Sequence, residues 1–204
     1  PAFAHIREEY IFIVETDHLL LRPLPNEASE KMPVGFGFYY MTYKYDPPKL
    51  KPVVAKVHGH AVAGGSDIAL CSDFVVMGEN ARIGYMPVRV WGCPTTAMWV
   101  YRLGPERAKR MLFTGDRIKG KEAERLGLVL KAVPAADLDA EVERLAERMA
   151  TVPVNQLMMQ KLVVNQAIEA MGLKQTQMFA TVFDGITRHS PEGLNFKARA
   201  ESQG

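Results

Sequence analysis

The spacing of apolar residues becomes regular from Lys51 onward. An apolar, β-branched run predicts a buried strand over residues 52–57, the pair Gly64-Gly65 marks a turn, and a helix is expected from about residue 66. The pattern then predicts a strand over residues 74–77, a turn over 78–80 and a further strand over 82–84. This alternation predicts stacked α/β units.

Before Lys51 the pattern is weaker. Residues 10–14 predict a strand, and residues 18–21 are a candidate partner for it. Residues 22–51 contain five prolines, and the aromatic cluster over residues 36–45 has no sustained strand or helix period. We therefore expect a long irregular segment, or a sequence from which residues are absent.

Helical spacing dominates the C-terminal half. Pro105 begins a predicted helix, and a short helix over residues 121–126 ends at Gly127 before a predicted strand over 128–130. The first long apolar stripe consists of Leu138, Val142, Leu145, Ala146 and Met149. The second, interrupted by Lys161, consists of Val154, Leu157, Val164, Ile168 and Met171. A further helix is expected after Gly172, and we expect these helices to pack on the α/β body or on another subunit.

Composition excludes several classes of function. The formal net charge is only +2, with basic and acidic residues interspersed, so nucleic acid is not an expected partner. Cys71 and Cys93 fit neither a CxxC pair nor a metal knuckle, and His58 and His60 lack a third nearby ligand, so no metal site is expected. No apolar run approaches the length of a membrane span, the first ten residues lack a signal-peptide core, and we expect a cytoplasmic protein with reduced thiols.

The Gly64-Gly65-Ser66-Asp67 turn carries the clearest candidate chemistry. Unpaired N–H groups at a helix start, aligned with the helix dipole, stabilise a developing oxyanion, and glycine allows close approach to the main chain. Ser66 and Asp67 are expected to cap this helix. Asp67 is either an ordinary first-turn acid or a catalytic carboxylate. Ser66 faintly resembles a nucleophile elbow, but Ile68 replaces the second glycine of that motif.

Several segments at ordered spacings carry a more specific pattern. They are Lys51–Ala55 leading to Gly59, Ala63–Leu70, Ser72-Asp73, Ala81–Gly84 with Gly92 and Pro94 downstream, and Thr114–Ile118 followed by Glu122-Ala123 and Gly127–Val129. Together they resemble the crotonase (enoyl-CoA hydratase/isomerase) superfamily over roughly three quarters of the chain.

The resemblance implies an α/β fold, a spiral of ββα units with a C-terminal helical trimerisation region. We expect residues 1–134 to form the spiral core, incomplete at its N-terminal end, and residues 135–204 to form a helical region that packs on the core and on neighbouring subunits. A homotrimer or a dimer of trimers is implied. The ligand implied is an acyl-CoA thioester, with coenzyme A as part of the substrate and no separate cofactor.

The resemblance also assigns site residues. Gly64 maps to the oxyanion-hole position and Asp67 to the first catalytic carboxylate, usually Glu in the family. The expected substrate-binding residues are Ala63, Gly65, Tyr85, Met86, Pro87, Trp91, Phe196 and Lys197. Phe196 and Lys197 fall where the family often packs residues against the CoA adenine. Trp91 and Tyr85 are equally compatible with a plain core role.

The chain departs from the family pattern at two places. Pro87 occupies the position of the second catalytic carboxylate, and Asp67 is shorter than Glu by one methylene. The segment that normally supplies the second oxyanion N–H has no counterpart between residues 1 and 50, where the chain is shorter than the family by several dozen residues. We therefore expect either omitted residues or a truncated product, and the mass of the purified chain distinguishes the two.

Three kinds of function remain open. The leading hypothesis is an enoyl-CoA hydratase, a lyase of fatty-acid or related acyl degradation in which Gly64 stabilises a thioester enolate and Asp67 handles the proton. Isomerisation or another single-base enolate reaction is the competitor within the family. A catalytically weak acyl-CoA binding or scaffold protein is the alternative from another class, and a serine hydrolase using Ser66 is a distant third.

Overall fold

The fold is known from a computed structural model that describes the backbone of residues 12–15 and the chain over residues 51–203. Elements are numbered in chain order within these residues. The strands are β1 (Phe12–Glu15), β2 (Val53–Val57), β3 (His60–Val62), β4 (Phe74–Gly78), β5 (Arg82–Gly84), β6 (Arg117–Lys119) and β7 (Lys131–Val133). The helices are α1 (Gly64–Cys71), α2 (Met98–Leu103), α3 (Pro105–Thr114), α4 (Gly120–Leu126), α5 (Leu138–Ala150), α6 (Val154–Ala170), α7 (Leu173–Arg188) and α8 (Pro191–Gln203).

A parallel sheet in the order β1-β2-β4-β7 forms one layer. Its central strands are almost wholly apolar because helices or loops cover both of their faces. The strands predicted at residues 52–57 and 74–77 are confirmed as β2 and β4, each within one residue of the expected bounds. The strand predicted at residues 10–14 lies at Phe12–Glu15 and pairs with β2, whereas its candidate partner at residues 18–21 lies outside the described residues.

A second, smaller sheet in the order β3-β5-β6 carries the start of α1. Strand β3 runs parallel to β5, and β5 pairs antiparallel with β6. A Cβ atom at Gly84 would collide with the carbonyl oxygen of Asp116, so this crossing of β5 and β6 requires glycine. Strand β3 ends at Val62, and α1 follows after Ala63 alone.

The N-cap prediction for this helix is wrong. Helix α1 begins at Gly64, about two residues earlier than expected, and Ala63 is its N-cap residue. Ser66 therefore lies inside the first turn, where its hydroxyl donates to the Ala63 carbonyl at 2.6 Å and caps no N–H group. Residues 63–65 complete the turn without a polar cap because Ala63 adopts a positive φ.

The strand predicted at residues 128–130 is also misplaced. The N–H of Leu128 donates to the Ala123 carbonyl across Gly127, which ends α4 in the left-handed conformation. Leu128 and Val129 are buried as the closing residues of this helix end, and the strand begins only at Lys131. Apolar character marked them as core but did not distinguish a helix closure from a strand.

The two predicted apolar stripes have different outcomes in the structure. The α5 stripe is confirmed, since Leu138, Val142, Ala146 and Met149 are buried and pack with Val54 and Val76 of the parallel sheet. The α6 stripe is wrong as a buried face: Val164 is 58 % exposed and Met171 is 72 % exposed. The one buried residue of α6 is Lys161, which interrupts the stripe.

Part of the apolar face of α6 borders an open cleft of about 600 Å³ beneath the helix. Leu157, Val164 and Ile168 line it together with Lys161, so the apolar face borders space where close packing was expected. The opposite wall is formed by the C-terminal end of α1, by the start of β4 and by α2.

Candidate active site

The turn between β3 and α1 is held by both backbone groups of Ala63. Its N–H donates to the Gly84 carbonyl at 3.1 Å, and its carbonyl accepts from the N–H groups of Ser66 and Asp67 at 3.0 and 3.2 Å. Ala63 has φ 51° and ψ −123°, a conformation that costs a non-glycine residue free energy and persists only where the surroundings fix it. The two glycines that follow are thereby placed at a defined helix start.

Gly64 and Gly65 present unpaired N–H groups. Neither N–H donates to another residue among those that the structure describes. Among the residues that the structure describes, no atom lies within 4 Å of a Cβ atom built on either glycine, so the described chain leaves the space beside this backbone open. Free N–H groups at the positive end of a helix dipole, facing open space, form a binding position for a carbonyl oxygen that gains negative charge.

Asp67 lies one turn into the same helix and is only 7 % exposed. Its Oδ1 accepts a hydrogen bond from the Thr96 hydroxyl at 2.8 Å, and no lysine or arginine of the described chain pairs with it. Burial raises the pKa of Asp67 from its ordinary 3.8 to about 7; the Thr96 hydrogen bond opposes this rise and the negative charge of Asp184 adds to it. A carboxylate that titrates near neutrality can both take up and release a proton.

Thr96 and Gln177 connect Asp67 to helix α7. The side-chain amide of Gln177 donates to the Thr96 carbonyl at 3.0 Å, and both residues are buried. The Thr96 hydroxyl on the other side of the residue is thereby held in place against Asp67. Sequence reasoning missed both residues.

Asp184 of α7 is a second buried carboxylate near the site. Its Oδ1 accepts from the N–H of Cys93 at 3.0 Å, and its Oδ2 accepts from Nε of Arg188 at 2.7 Å. The phenol of Tyr85 donates to the carbonyl of the same Cys93 at 3.0 Å. The Cys93 residue is therefore fixed from both sides, once by Tyr85 and once by α7.

Gly92 allows the segment around Cys93 to lie close to Asp184 of α7. It has φ +113°, and a Cβ atom there would lie 3.0 Å from Cβ of Pro87 and 3.4 Å from Oδ1 of Asp184. Its N–H donates to the Thr187 hydroxyl at 3.3 Å. A side chain at this position would both strain the backbone and press on Asp184.

The aromatic residues expected to bind substrate lie beside this loop. The rings of Trp91 and Phe196 are 6.3 Å apart, and the guanidinium carbon of Arg188 lies 3.9 Å from the centre of the Trp91 ring. Lys197 is exposed and lies 3.9 Å from Glu201. Trp91, Phe196 and Lys197 thus lie on the α7–α8 side of the site, and none of them forms a hydrogen bond or ion pair with Asp67.

Met86 and Pro87 belong to a 3₁₀ turn over Met86–Arg89 that directly follows Tyr85. The Pro87 carbonyl accepts from the N–H groups of Val90 and Trp91, so this residue shapes the turn and supplies no ionisable group. Burial raises the pKa of the Tyr85 phenol, with smaller contributions from Asp67 and Asp184. Tyr85 is consequently neutral and acts as a hydrogen-bond donor.

One signal in the sequence could have identified the α7 residues. The buried positions of α7 are Leu173, Gln177 and Asp184, which recur at intervals of four and seven residues on one helical face. Two polar residues on the inward face of a helix indicate buried partners. The more apolar Phe179 and Phe183 of the same helix are both more than half exposed.

Ser66 has no geometry for nucleophilic catalysis. It is fully buried, and its hydroxyl donates to the Ala63 carbonyl. Within the described residues no cluster of histidine, cysteine and acidic side chains could hold a metal ion. Across the same residues, the helices are too short or too polar to span a bilayer.

The family model for enoyl-CoA hydratase/isomerase matches residues 47–200. A second model, the hydroxyproline O-arabinosyltransferase family N-terminal domain, matches residues 2–73, which is only about a third of the chain. So small a match does not show membership of that family, and most of it falls outside the described residues.

Solved and curated proteins agree with the first match. An enoyl-CoA hydratase from Mycobacterium smegmatis is 50 % identical with a TM-score of 0.78, over 83 % of this chain and 56 % of that one. The mitochondrial enoyl-CoA hydratase of Pongo abelii is 32 % identical over 71 % of this chain and 51 % of that protein. The 2,3-dehydroadipyl-CoA hydratase of Escherichia coli K12 is 31 % identical over 71 % of this chain and 59 % of that protein.

The chain thus spans between half and three fifths of the length of these relatives. The solved enzyme shares the α/β architecture described above, and the family match covers the β3–α1 turn, Asp67 and α7. The resemblance found in the sequence motifs is therefore confirmed, and the chain belongs to the enoyl-CoA hydratase/isomerase family.

Proposed function

We propose that the protein binds an acyl-CoA thioester and catalyses hydration of a 2-enoyl-CoA. The observation that carries the proposal is two features of one helix turn: the Gly64 and Gly65 N–H groups, which have no acceptor within the described part of the chain, and the buried Asp67, whose pKa is about 7. The family membership supplies the substrate class. The two groups supply what the reaction needs, a donor for the thioester oxygen and a residue that exchanges a proton near neutral pH.

In the proposed mechanism the thioester carbonyl lies against the Gly64 N–H. Water adds at C3 while negative charge moves onto the thioester oxygen, and the helix start stabilises the resulting enolate. Asp67 orients the water and accepts its proton as the new C–O bond forms. Asp67 then returns a proton to C2 as the enolate collapses, which regenerates its carboxylate and completes the hydration.

The second candidate reaction is isomerisation of a 3-enoyl-CoA. Pro87 stands where the family carries its second carboxylate, and one carboxylate suffices for moving a proton from C2 to C4. A 3-hydroxyacyl-CoA product identifies hydration, whereas interconversion of 2-enoyl and 3-enoyl thioesters identifies isomerisation.

Further parts of the proposal concern binding and context. We assign Ala63, Gly65, Tyr85, Met86 and Pro87 to the acyl side of the site, and Trp91, Phe196 and Lys197 to the CoA side. The contact between Trp91 and Phe196 supports the second group. We also propose a homotrimer or dimer of trimers built on residues 135–204, and a cytoplasmic location, which the free thiols of Cys71 and Cys93 favour.

The test is the hydration of crotonyl-CoA by the wild-type chain and by Asp67→Asn. Loss of the acid/base group is expected to lower kcat/KM by about 10²- to 10⁴-fold with little change in acyl-CoA binding. The matched control is Asp137→Asn, an exposed aspartate, which should leave both quantities unchanged. Intact binding with no turnover in the wild type would identify a binding protein and refute the enzymatic proposal.

A further inference from the structure

The polar residues on the buried face of α7 have no assigned role in the proposed reaction. Gln177 binds the Thr96 carbonyl, and Asp184, two turns further along the helix, binds the Cys93 N–H. Thr187 adds a third contact to the N–H of Gly92. Helix α7 therefore holds the segment 92–96 at both of its ends, and Thr96 of that segment is the hydrogen-bond partner of Asp67.

The two buried carboxylates of the site differ in the partners that offset their negative charge. Asp184 is paired with Arg188 and accepts a main-chain N–H, so its charge has two hydrogen-bonding partners. Among the described residues Asp67 has the Thr96 hydroxyl alone, and the other titratable groups that interact with it are Asp184, Tyr85 and Cys71. Arg102 is directed to the carbonyl groups at the opposite end of α1.

We propose that Asp184 is a positioning residue of this site, which fixes the segment 92–96 against Asp67 and places a second negative charge near it. This inference rests on the proposed function, in which the nearby negative charge makes the Asp67 carboxylate a better acceptor for the proton of the attacking water. The placement itself stands on the contacts of α7.

The contacts of Asp67 predict the direction in which each substitution should shift its pKa, and these directions test the proposal. Thr96→Val removes a donor that favours the ionised carboxylate, so it should raise the pKa of Asp67 above its wild-type value. Asp184→Asn removes a negative charge that disfavours the ionised form, so it should lower that pKa. A purely structural contact would not produce shifts of opposite sign.

The measurement is a pH titration of the aspartate side-chain carbons by ¹³C NMR on the full chain. The Asp67 resonance is assigned as the one that disappears in Asp67→Asn. Arg188→Gln is the matched control, because it breaks the same ion pair but leaves the negative charge of Asp184 in place. Asp184→Ser is the second neutral variant if the asparagine chain does not fold.

The expected result is a lower Asp67 pKa in the neutral Asp184 variant, a higher one in Thr96→Val, and no decrease in Arg188→Gln. An unchanged or higher pKa without the Asp184 charge would overturn the proposal. An equal decrease in Arg188→Gln would also overturn it, by showing that the ion pair matters and the charge does not. The titration needs no turnover, so the role of Asp184 can be tested even in a chain that is inactive on crotonyl-CoA.

Discussion

The two ends of helix α1 bury polar groups in opposite ways. At the C-terminal end the buried charges have partners: Arg102 donates to the carbonyls of Leu70 and Ser72, and Asp73 accepts from Lys161 Nζ and from the Val53 N–H, both at 2.7 Å. At the N-terminal end Asp67 is more deeply buried than Asp73, yet its partner is a neutral hydroxyl and a second carboxylate lies nearby.

The paired charges beside the C-terminal end of α1 therefore stabilise the fold, whereas the carboxylate near its N-terminal end is available for chemistry. A paired buried charge keeps its charge and helps to fix the fold, because its partner offsets part of the desolvation cost. A buried carboxylate without a cation shifts its pKa instead, and a group that titrates near pH 7 can exchange protons under physiological conditions. The comparison predicts that substitutions at the two ends change stability with opposite signs.

The largest effect is expected at the C-terminal end. Lys161→Met removes the ammonium, whose side chain is only 5 % exposed, and leaves Asp73 without its cation. Breaking a buried ion pair by removing one partner costs about 3–5 kcal/mol, so the free energy of unfolding should fall by this order. Urea unfolding of the two chains measures the difference, and activity per folded molecule should be retained.

Lys121→Met is the matched control for this change. Lys121 pairs with Glu79 at 3.0 Å but is 70 % exposed, and a surface pair of this kind contributes about 0–1 kcal/mol. Similar losses of stability in the Lys161 and Lys121 variants would remove the distinction between a buried structural pair and an ordinary surface pair.

The second effect has the opposite sign. Asp67 has a pKa of about 7 in the folded chain and near 3.8 when unfolded, so the folded chain alone holds this proton between those pH values. The stability contributed by the protonated form is therefore full below about pH 4 and lost progressively up to about pH 7. Asp67→Asn removes the cost and should stabilise the chain by about 2–4 kcal/mol at pH 8.

Denaturant unfolding at pH 8 and pH 5 measures this gain. The wild type should lose stability as the pH rises across this range, whereas the Asp67→Asn chain should lose much less, so the gain is larger at pH 8. An Asp67→Asn chain that is less stable than the wild type at pH 8 would show that the buried carboxylate stabilises the fold, contrary to the comparison.

Much of the fold was predictable because its signals are local. Strands β2 and β4 are short β-branched runs in a buried parallel sheet, and α5 shows one apolar stripe that packs on that sheet. The strand predicted at residues 128–130 was wrong because burial alone does not distinguish residues that close a helix end from residues of a strand. The α6 stripe was wrong as a buried face: Leu157, Val164 and Ile168 border open space beneath the helix, and apolar periodicity does not reveal such a space.

The site was predictable only where motif and local geometry coincide. Gly64 and Asp67 lie on one turn, so their spacing in sequence is also their spacing in space. Thr96, Gln177 and Asp184 reach Asp67 through contacts that span 29 residues or more, and such pairing is set by tertiary packing. The missing second carboxylate at Pro87 therefore gave no indication that α7 brings another one close.

The smallest effect on stability is expected at Gly64 itself. A Cβ atom there meets open space and the residue lies in a helix, so Gly64→Ala should leave the free energy of unfolding unchanged within about 1 kcal/mol. The added methyl group lies where the thioester would approach the N–H groups, so acyl-CoA binding and turnover should fall together. Gly84→Ala, which collides with the Asp116 carbonyl, should instead lose stability strongly. If Gly64→Ala kept full acyl-CoA binding and turnover, the open N-terminal end of α1 would not be where substrate binds, and the contrast between the two ends would concern burial alone.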